Sequence, residues 1–257
     1  MKYLVQPLVQ ECAVAPGPEI NDNRVYSMTA VHSGKAMTVK DDNSIVQQTW
    51  AEEDRQRWKM EFLSSSYGPS GIDAVFNWES RNDAYFFKKN SYIRYDLKSD
   101  KTDSGYPKRI FDYWPGMPSN FSQNIDAILY WPQRDGAYFF KGSEYVKYNL
   151  KDDRAEPGYP KPIADYWPGM PSDFCQDIDA VFYWPQRDSA YFFKGSRYVK
   201  YNLKDDHAES GYPKSISGYW DYMPSNFHQD IDAIFHWPQR DSAYFFKGNQ
   251  YLTSSPA

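Results

Sequence analysis

Short stretches in which apolar and polar residues alternate follow one another along most of the chain. In one copy, an apolar stretch at residues 125–131 is followed by an aromatic stretch at 137–141 and an alternating stretch at 144–150. Alternation with a period of two is typical of β-strands, whose successive side chains point to opposite faces. We therefore predict a meander of three antiparallel strands: an innermost strand at 125–131, a second at 137–141 and a third at 144–150.

A two-residue turn separates the second predicted strand from the third. Tight hairpins require residues with positive φ, a conformation that glycine and asparagine adopt more readily than other residues. Each copy keeps a glycine or an asparagine there, in the pairs Gly142-Ser143, Gly195-Ser196, Gly248-Asn249 and Lys89-Asn90. We therefore expect all copies to share one type of hairpin.

The tripeptide Ile-Asp-Ala marks a repeat of 53 residues, which begins at Ile72, Ile125, Ile178 and Ile231. The first three copies continue after the third strand with Gly-Tyr-Pro-Lys and a tryptophan-containing stretch. We predict a short outer strand there, followed by a helical turn that starts near the proline and stops at Pro-Gly. A single unit of this kind leaves both faces of its sheet uncovered, so it is stable only when neighbours pack against it.

Four such sheets predict an all-β, four-bladed β-propeller around a channel. An open stack of sheets is the competing architecture, but its exposed aromatic end faces would need caps. We expect an N-terminal β segment at residues 1–64, a flexible linker at 65–71 and the propeller at 72–257, with blades starting at 72, 125, 178 and 231. A full fourth repeat would extend to residue 283, so we expect the last blade to be truncated.

Composition supports this architecture. The chain of 257 residues contains 23 Tyr, 16 Phe and 9 Trp, so its core must be built mainly from aromatic rings between β layers. The two cysteines, Cys12 and Cys175, exclude a disulfide framework, although a single bridge between them stays open.

Charge and hydropathy narrow the range of partners. A net charge of -5 argues against nucleic acid and anionic membranes, because Lys and Arg supply most of the affinity for phosphates. No apolar stretch is long enough for a transmembrane helix, and residues 1–10 lack the apolar core of an ordinary signal peptide. We expect a soluble protein, either secreted or cytoplasmic.

The repeat resembles the hemopexin repeat, with Asp-Ala in the innermost strand, an aromatic second strand ending at Lys-Gly, a Tyr-rich third strand and the Gly-Tyr-Pro-Lys…Trp-Pro-Gly-x-Pro connector. Similar domains occur in serum hemopexin, in matrix metalloproteinases as non-catalytic modules, in legume seed albumins and in bacterial photopexins. The Trp-Pro-Gln-Arg-Asp loops and the near-identical repeats look nearest to the bacterial group. The resemblance implies a disulfide between the first and last blades, but neither cysteine here lies at the end of blade 4, which argues against that closure.

Residues 26–60 resemble one ricin-type trefoil repeat, with Ser33-Gly34-Lys35 and a Gln56-Arg57-Trp58 version of Gln-x-Trp. One copy cannot close a trefoil barrel, so we expect this segment to pack on the propeller or to pair with another chain, for instance in a homodimer. Thr38 stands where sugar-binding members carry an aspartate, which weakens a carbohydrate site.

The resemblance implies a ring of backbone carbonyls in the channel, one from each Asp-Ala motif, that binds Ca²⁺ or Na⁺ as hard oxygen ligands. A second ring is expected two residues later, with chloride bound to its amides. The predicted ring positions are Asp73, Val75, Asp126, Ile128, Asp179, Val181, Asp232 and Ile234. The alternative is that each aspartate side chain only hydrogen-bonds to neighbouring backbone.

Heme is another ligand that the resemblance implies, and it ordinarily takes a histidine as axial ligand. The four histidines, His32, His207, His228 and His236, do not recur with the repeat. His236 stands where other copies have Asn77, Tyr130 and Tyr183, and His207 lies in a loop of blade 3; these two are the candidate heme ligands.

The Trp-Pro-Gln-Arg-Asp loops offer a further candidate site on the propeller rim, where tryptophan and arginine could contact a glycan or a protein. The residues are Trp131, Arg134, Trp184, Arg187, Trp237 and Arg240. The alternative is tryptophan packed between blades with arginine paired to an aspartate. Acidic clusters such as Asp152-Asp153 could attract polyamines, although clusters of this kind are usually solvated turns.

Catalysis has no support in the sequence, which lacks a zinc-protease helix motif, a nucleophile elbow and a phosphate loop. We therefore predict a non-enzymatic protein that holds a structural cation and binds heme or a small cationic molecule such as a polyamine. A carbohydrate-binding lectin or a host protein-interaction module is the alternative.

Overall fold

A computed structural model describes most of the chain from residue 71 onward and the backbone of four strands before it. The described ranges are 27–31, 35–39, 45–49, 57–61, 71–220, 223–248 and 250–254. Of the linker predicted at 65–71, residues 65–70 lie outside them. The four early strands are β1 (Ser27–Val31), β2 (Lys35–Val39), β3 (Ile45–Thr49) and β4 (Arg57–Glu61). Strand β1 pairs with β4 and β2 with β3, both antiparallel.

Four antiparallel sheets follow, one from each repeat. Blade 1 contains β5 (Ala74–Trp78), β6 (Asp83–Lys88), β7 (Ser91–Asp96), β8 (Lys101–Thr102), β9 (Lys108–Arg109) and helix α1 (Ile110–Tyr113). Blade 2 contains β10 (Ala127–Trp131), β11 (Gly136–Lys141), β12 (Glu144–Asn149), β13 (Arg154–Ala155), β14 (Lys161–Pro162) and α2 (Ile163–Tyr166).

The third repeat has the same elements, and the fourth has three described strands. Blade 3 contains β15 (Ala180–Trp184), β16 (Ser189–Lys194), β17 (Arg197–Asn202), β18 (His207–Ala208), β19 (Lys214–Ser215) and α3 (Ile216–Tyr219). Blade 4 contains β20 (Ala233–Trp237), β21 (Ser242–Lys247) and β22 (Gln250–Ser254). The predicted meander is confirmed, with the innermost strand of blade 2 beginning at Ala127, two residues later than predicted.

The hairpin between the second and third strands differs from the prediction in blade 1. Gly142, Gly195 and Gly248 adopt φ between 55° and 57°, as expected. In blade 1 the residue with positive φ is Lys89, at 51°, and not the neighbouring Asn90. The hairpin requires the left-handed conformation at its first position, so the lysine that stands there adopts it, although lysine seldom does.

The helical turns also end earlier than predicted. Each of the three helices has four residues, stops at a tyrosine and is followed by a tryptophan, ahead of the position of Pro-Gly. Those tryptophans pack across the gap between blades: the ring centroid of Trp114 from blade 1 lies 5.2 Å from Phe139 and 4.8 Å from Tyr148 of blade 2. Aromatic pairs of this kind contribute about 0.5–1.5 kcal/mol each beyond the area they bury.

The four sheets close into a ring. Each innermost strand lies beside the next, and β20 of the last blade lies beside β5 of the first. The buried side chains form four clusters, and each cluster combines residues from two neighbouring blades. A propeller with a central channel is therefore the architecture, and the open stack is wrong.

Candidate functional site at the two ends of the channel

The innermost strands line a channel with two different ends. At the end where the strands begin, a cavity of about 450 Å³ is open to solvent; we call it the acidic mouth. Aspartate dominates its lining, with Asp73, Asp126, Asp177, Asp179, Asp230 and Asp232. At the end where the strands finish, a cavity of only about 20 Å³ remains, which we call the narrow end.

The four aspartates of the Asp-Ala motifs have the same surroundings in every blade. The carboxylate of Asp126 accepts a hydrogen bond from the backbone N–H of Gly142, at 2.6 Å, and Asp179 accepts one from Gly195 at the same distance. Asp232 and Asp73 accept equivalent bonds from Gly248 and from Lys89. Each side chain thus ties the start of the innermost strand to the hairpin of its own blade.

Burial governs the electrostatics of this ring. It raises the pKa of Asp73, Asp126, Asp179 and Asp232 above the ordinary value of 3.8, because the charged carboxylate loses hydration. The hairpin amide and a neighbouring lysine act in the opposite direction, with less effect.

A second set of residues at the mouth lies two positions earlier, at Asn124, Asp177 and Asp230. All three have positive φ, and their backbone N–H groups donate to the hairpin carbonyls of the preceding blade, at 2.8–3.0 Å. In blades 2 to 4 the ammonium of the lysine that ends the second strand donates a hydrogen bond to the carbonyl of the same residue; Nζ of Lys141, for example, lies 2.6 Å from the oxygen of Asn124. The sequence analysis did not identify these three residues as lining the mouth, although their positions recur every 53 residues.

In the described part of the chain, no three His, Cys, Asp or Glu side chains converge in a way that would hold a metal ion. A cation beside the Asp-Ala motifs would therefore rest on backbone carbonyls and water, as the resemblance implies. The eight carbonyl positions given above stay a prediction.

The narrow end is lined by one aliphatic and one polar position from each blade. The aliphatic positions are Val75, Ile128, Val181 and Ile234, all buried. The polar positions are Asn77, Tyr130, Tyr183 and His236, each two residues further along its strand. Residues predicted to form the second carbonyl ring therefore lie together, next to one of the two candidate heme ligands.

His236 is 7% exposed, and its ring is held by a single described partner. Its Nε2 lies 3.3 Å from Oδ1 of Asp241, while its Nδ1 is buried without a hydrogen-bond partner. Burial lowers the pKa of His236, and the carboxylate of Asp241 partly offsets this. Across the joint between blades 4 and 1, Oδ1 of Asn77 is likewise buried and without a partner.

Glutamine side chains form hydrogen bonds between neighbouring blades around the narrow end. Gln133 of blade 2 donates to Asp188 of blade 3, at 2.8 Å, and Gln239 of blade 4 donates to Asn82 of blade 1, also at 2.8 Å. Gln186 donates to Asp241, the same carboxylate that His236 faces. Blade 1 has a serine at the equivalent position, Ser80.

The second candidate heme ligand, His207, lies elsewhere. It is exposed in strand β18 and lines neither end of the channel. Its Nδ1 is 2.6 Å from the carbonyl oxygen of Ala208. The two candidate histidines are therefore not brought together, and His32 lies outside the described residues.

The tryptophans of the candidate rim site are buried rather than presented to solvent. Trp131 is 2% exposed, and the guanidinium of Arg134 lies 3.9 Å from its ring centroid. Arg240 covers Trp237 in the same way at 3.6 Å, and Arg187 covers Trp184 at 4.8 Å. Only the arginine edges are therefore open to a rim ligand, and rim binding stays a prediction.

Those arginines also bridge neighbouring blades. Arg134 of blade 2 lies 2.7 Å from Asp206 of blade 3, and both side chains are about two-fifths exposed. Arg240 of blade 4 lies 3.2 Å from Asp100 of blade 1, in a pair that is mostly buried. Arg134 and Arg240 each combine stacking on a tryptophan with an ion pair between repeats.

Two further residues complete the description of the sequence candidates. Cys175 is half-buried and forms no disulfide with a described residue; Cys12 lies outside the described residues. Asp152 and Asp205 lie in exposed turns next to Tyr-bound aspartates. None of the helices in the described ranges is long and apolar enough to cross a membrane.

Comparison with known proteins agrees with this geometry. The family profile described as Hemopexin matches residues 72–119, 125–172, 178–225 and 231–257, more than half of the chain. Mouse matrix metalloproteinase-21 is 33% identical over 201 residues, which cover 70% of this chain and 34% of that protein. The chain thus spans about a third of the length of such relatives.

Two solved plant structures have the same fold. The hemopexin fold protein CP4 from cow pea is 26% identical, with a TM-score of 0.63 over 72% of this chain and 86% of that one. A plant lectin with two metal binding sites from Cicer arietinum is 25% identical, with a TM-score of 0.61 over 72% of this chain and 87% of that one.

Proposed function

The chain belongs to the hemopexin family, and we propose that its acidic mouth binds a small cationic molecule, such as a polyamine, above a structural cation held in the channel. A hemopexin-type domain is a non-enzymatic module for protein interaction or ligand binding. The observation that carries the proposal is the convergence of six aspartates from four blades on one opening.

Size and charge support a small cation at the mouth. Its volume of about 450 Å³ lies in the range of pockets for small ligands. Among the described residues, no lysine, arginine or histidine belongs to the lining, while the four lysines nearby bond to backbone carbonyls at the edge. Asp177 and Asp230 are exposed and free to meet an ammonium group.

The donor set also fits a structural cation deeper in the channel. Hard oxygen ligands suit Ca²⁺ and Na⁺, and the carboxylates around the axis supply the negative field that favours such an ion. The similar plant lectin carries two metal binding sites, according to its name. The residues that would hold the ion here are the backbone carbonyls of Asp73, Asp126, Asp179 and Asp232.

The test is a calorimetric titration with spermidine at low and high salt. We expect saturable binding that weakens with salt and that falls at least about tenfold in the double variant Asp177→Asn/Asp230→Asn. The matched control, Asp152→Asn/Asp205→Asn, removes the same charge from exposed turns of blades 2 and 3. Equal affinities of the two double variants would contradict the mouth as the site.

Heme ranks behind a small cation as the ligand. His236 lies at an end with room for about one water molecule, and His207 lies outside both ends. A hemin titration followed at the Soret band tests this order. A saturable shift at one hemin per chain, unaffected by spermidine, would restore heme to first place.

The second candidate function is recognition of a glycan or a protein, supported by the lectin among the similar structures. It would use the arginine edges of the rim together with the segment that resembles a trefoil repeat. A glycan array without hits for the full chain would remove the carbohydrate form of this candidate. We also propose that the repeats are nearer to those of bacterial photopexins than to those of the other groups named in the sequence analysis.

A further inference from the structure

The repeat breaks at the narrow end, and the breaks lie in two neighbouring blades. Blades 2 and 3 both carry tyrosine at the polar position and proline two residues later, as in Tyr183 and Pro185. Blade 1 carries Asn77 and Glu79 at those two positions, and blade 4 carries His236 at the first. All of these residues except Pro132 of blade 2 line the same cavity.

Two of the replaced side chains leave buried acceptors without partners. Asp241 faces Nε2 of His236, so this nitrogen carries the proton and donates it, and the lone pair of Nδ1 is left over. Oδ1 of Asn77 has no partner either, and Asn77 is 8% exposed. A buried polar atom without a partner costs about 1–3 kcal/mol, so both atoms are expected to meet a bound species.

The volume of the cavity limits what that species can be. About 20 Å³ holds one ion or about one water molecule, and it excludes a sugar or a porphyrin. Glu79 belongs to the lining, and no lysine or arginine among the described residues does. The space therefore favours a cation.

We propose that the narrow end binds a divalent transition-metal ion, with Zn²⁺ as its type, through Nδ1 of His236, Oδ1 of Asn77 and the carboxylate of Glu79, with water completing the shell. One imidazole nitrogen among oxygen ligands suits zinc and its neighbours better than Ca²⁺, which takes oxygen alone. The contact between Asp241 and Nε2 reproduces the carboxylate–histidine–metal arrangement that orients a ligating imidazole.

The geometry is consistent with this role. A histidine binds a metal through a nitrogen that carries no proton, and the contact of Asp241 with Nε2 leaves Nδ1 as that nitrogen. This site is separate from the structural cation of the acidic mouth, and it stands or falls independently of it.

The test is a calorimetric titration of the full chain with ZnCl₂, in calcium-containing buffer so that Ca²⁺ competes for any oxygen site. We expect one saturable Zn²⁺ site per chain. His236→Tyr and Glu79→Pro each install the residue that blades 2 and 3 carry at the same position, so the backbone accommodates both. We expect His236→Tyr to remove the site and Glu79→Pro to weaken it at least about tenfold.

His207→Asn is the matched control, because it removes an exposed histidine far from the channel and should leave the isotherm unchanged. Circular dichroism melts show whether each variant is folded, and visible absorption of bound Co²⁺ reports the His236 ligand directly. An unchanged isotherm in His236→Tyr would overturn the proposal. So would the lack of a saturable site in the unsubstituted chain, since water alone would then fill the cavity.

Discussion

The two ends of the channel are built from the same repeat but differ in the hydrogen-bond partners of their polar side chains. At the acidic mouth, all four blades place an aspartate against the amide of their own hairpin. At the narrow end, the equivalent positions hold four polar residues of three kinds, and two of them have unpartnered atoms. The carboxylates of the mouth are hydrogen-bonded within their own blade. Nδ1 of His236 and Oδ1 of Asn77 have no partner among the described residues, so they need a bound species. The comparison therefore separates groups that hold the fold from groups that hold a ligand.

Substitutions can test which groups hold the fold, and the largest effect is expected at a buried ion pair that joins two blades. Arg240→Ala removes the ion pair with Asp100 that joins blade 4 to blade 1 and leaves a mostly buried carboxylate without its cationic partner. We expect a loss of about 3 kcal/mol in the free energy of unfolding, measured with urea. Arg134→Ala, in the equivalent but half-exposed pair with Asp206, should cost less than about 1 kcal/mol. Equal losses would contradict the distinction.

The next effect concerns the hairpin contact of the mouth. Asp126→Ala leaves the N–H of Gly142 without its acceptor and should lower the free energy of unfolding by about 2 kcal/mol. Zinc binding at the narrow end should stay unchanged. Asp177→Asn changes an exposed residue of the same mouth and serves as the control, with less than about 0.5 kcal/mol expected. A loss of zinc binding in Asp126→Ala would mean that the two ends are coupled.

A milder substitution, Asp126→Asn, tests whether burial destabilises the charged carboxylate at the mouth. Burial raises the pKa of Asp126, so the folded protein binds more protons than the unfolded one, and stability falls as the pH rises from 3.8 through the folded pKa. Asp126→Asn keeps an acceptor but removes the charge. We expect its melting temperature in cation-free buffer to equal or exceed that of the parent at pH 7. The difference should shrink as the pH is lowered, and a difference that grows instead would show that the carboxylate is stabilised on folding.

The smallest effect is expected at the irregular end. His236→Tyr should change the free energy of unfolding at pH 7 by less than about 1 kcal/mol, because blades 2 and 3 carry a tyrosine at the equivalent position. The pKa of His236 is lowered from 6.5, so the parent should lose stability as the pH falls below 6.5 towards the folded pKa. Melting curves between these pH values should show a slope in the parent that is flatter in the variant. Identical slopes would mean that His236 does not titrate with unfolding.

Much of the fold followed from local pattern. Alternation placed three strands in each blade, and the turn pairs placed the hairpins, because both signals lie within a few residues. The identity of the left-handed residue in blade 1 did not follow, since Lys89 takes that conformation under the geometry of the hairpin. The carboxylate of Asp73 accepts a bond from the N–H of Lys89, sixteen positions away, which no local pattern reveals.

The sites were harder to predict, because they depend on closure of the ring. Trp131 and its equivalents read as rim residues in the sequence, yet packing between blades buries them beneath arginine. His236 was singled out as a departure from the repeat, whereas Asn77 and Glu79 gained meaning only when the structure placed them in one cavity. The signal that could have found them is the same departure from the repeat, compared between adjacent blades.

Anomalous diffraction from crystals grown with both CaCl₂ and ZnCl₂ would test the division between the two ends most directly. The account predicts two ions on or near the channel axis: calcium among the backbone carbonyls of Asp126 and its equivalents, and zinc on Nδ1 of His236. Zinc found only on surface side chains, or either end filled by the ion assigned to the other, would contradict it.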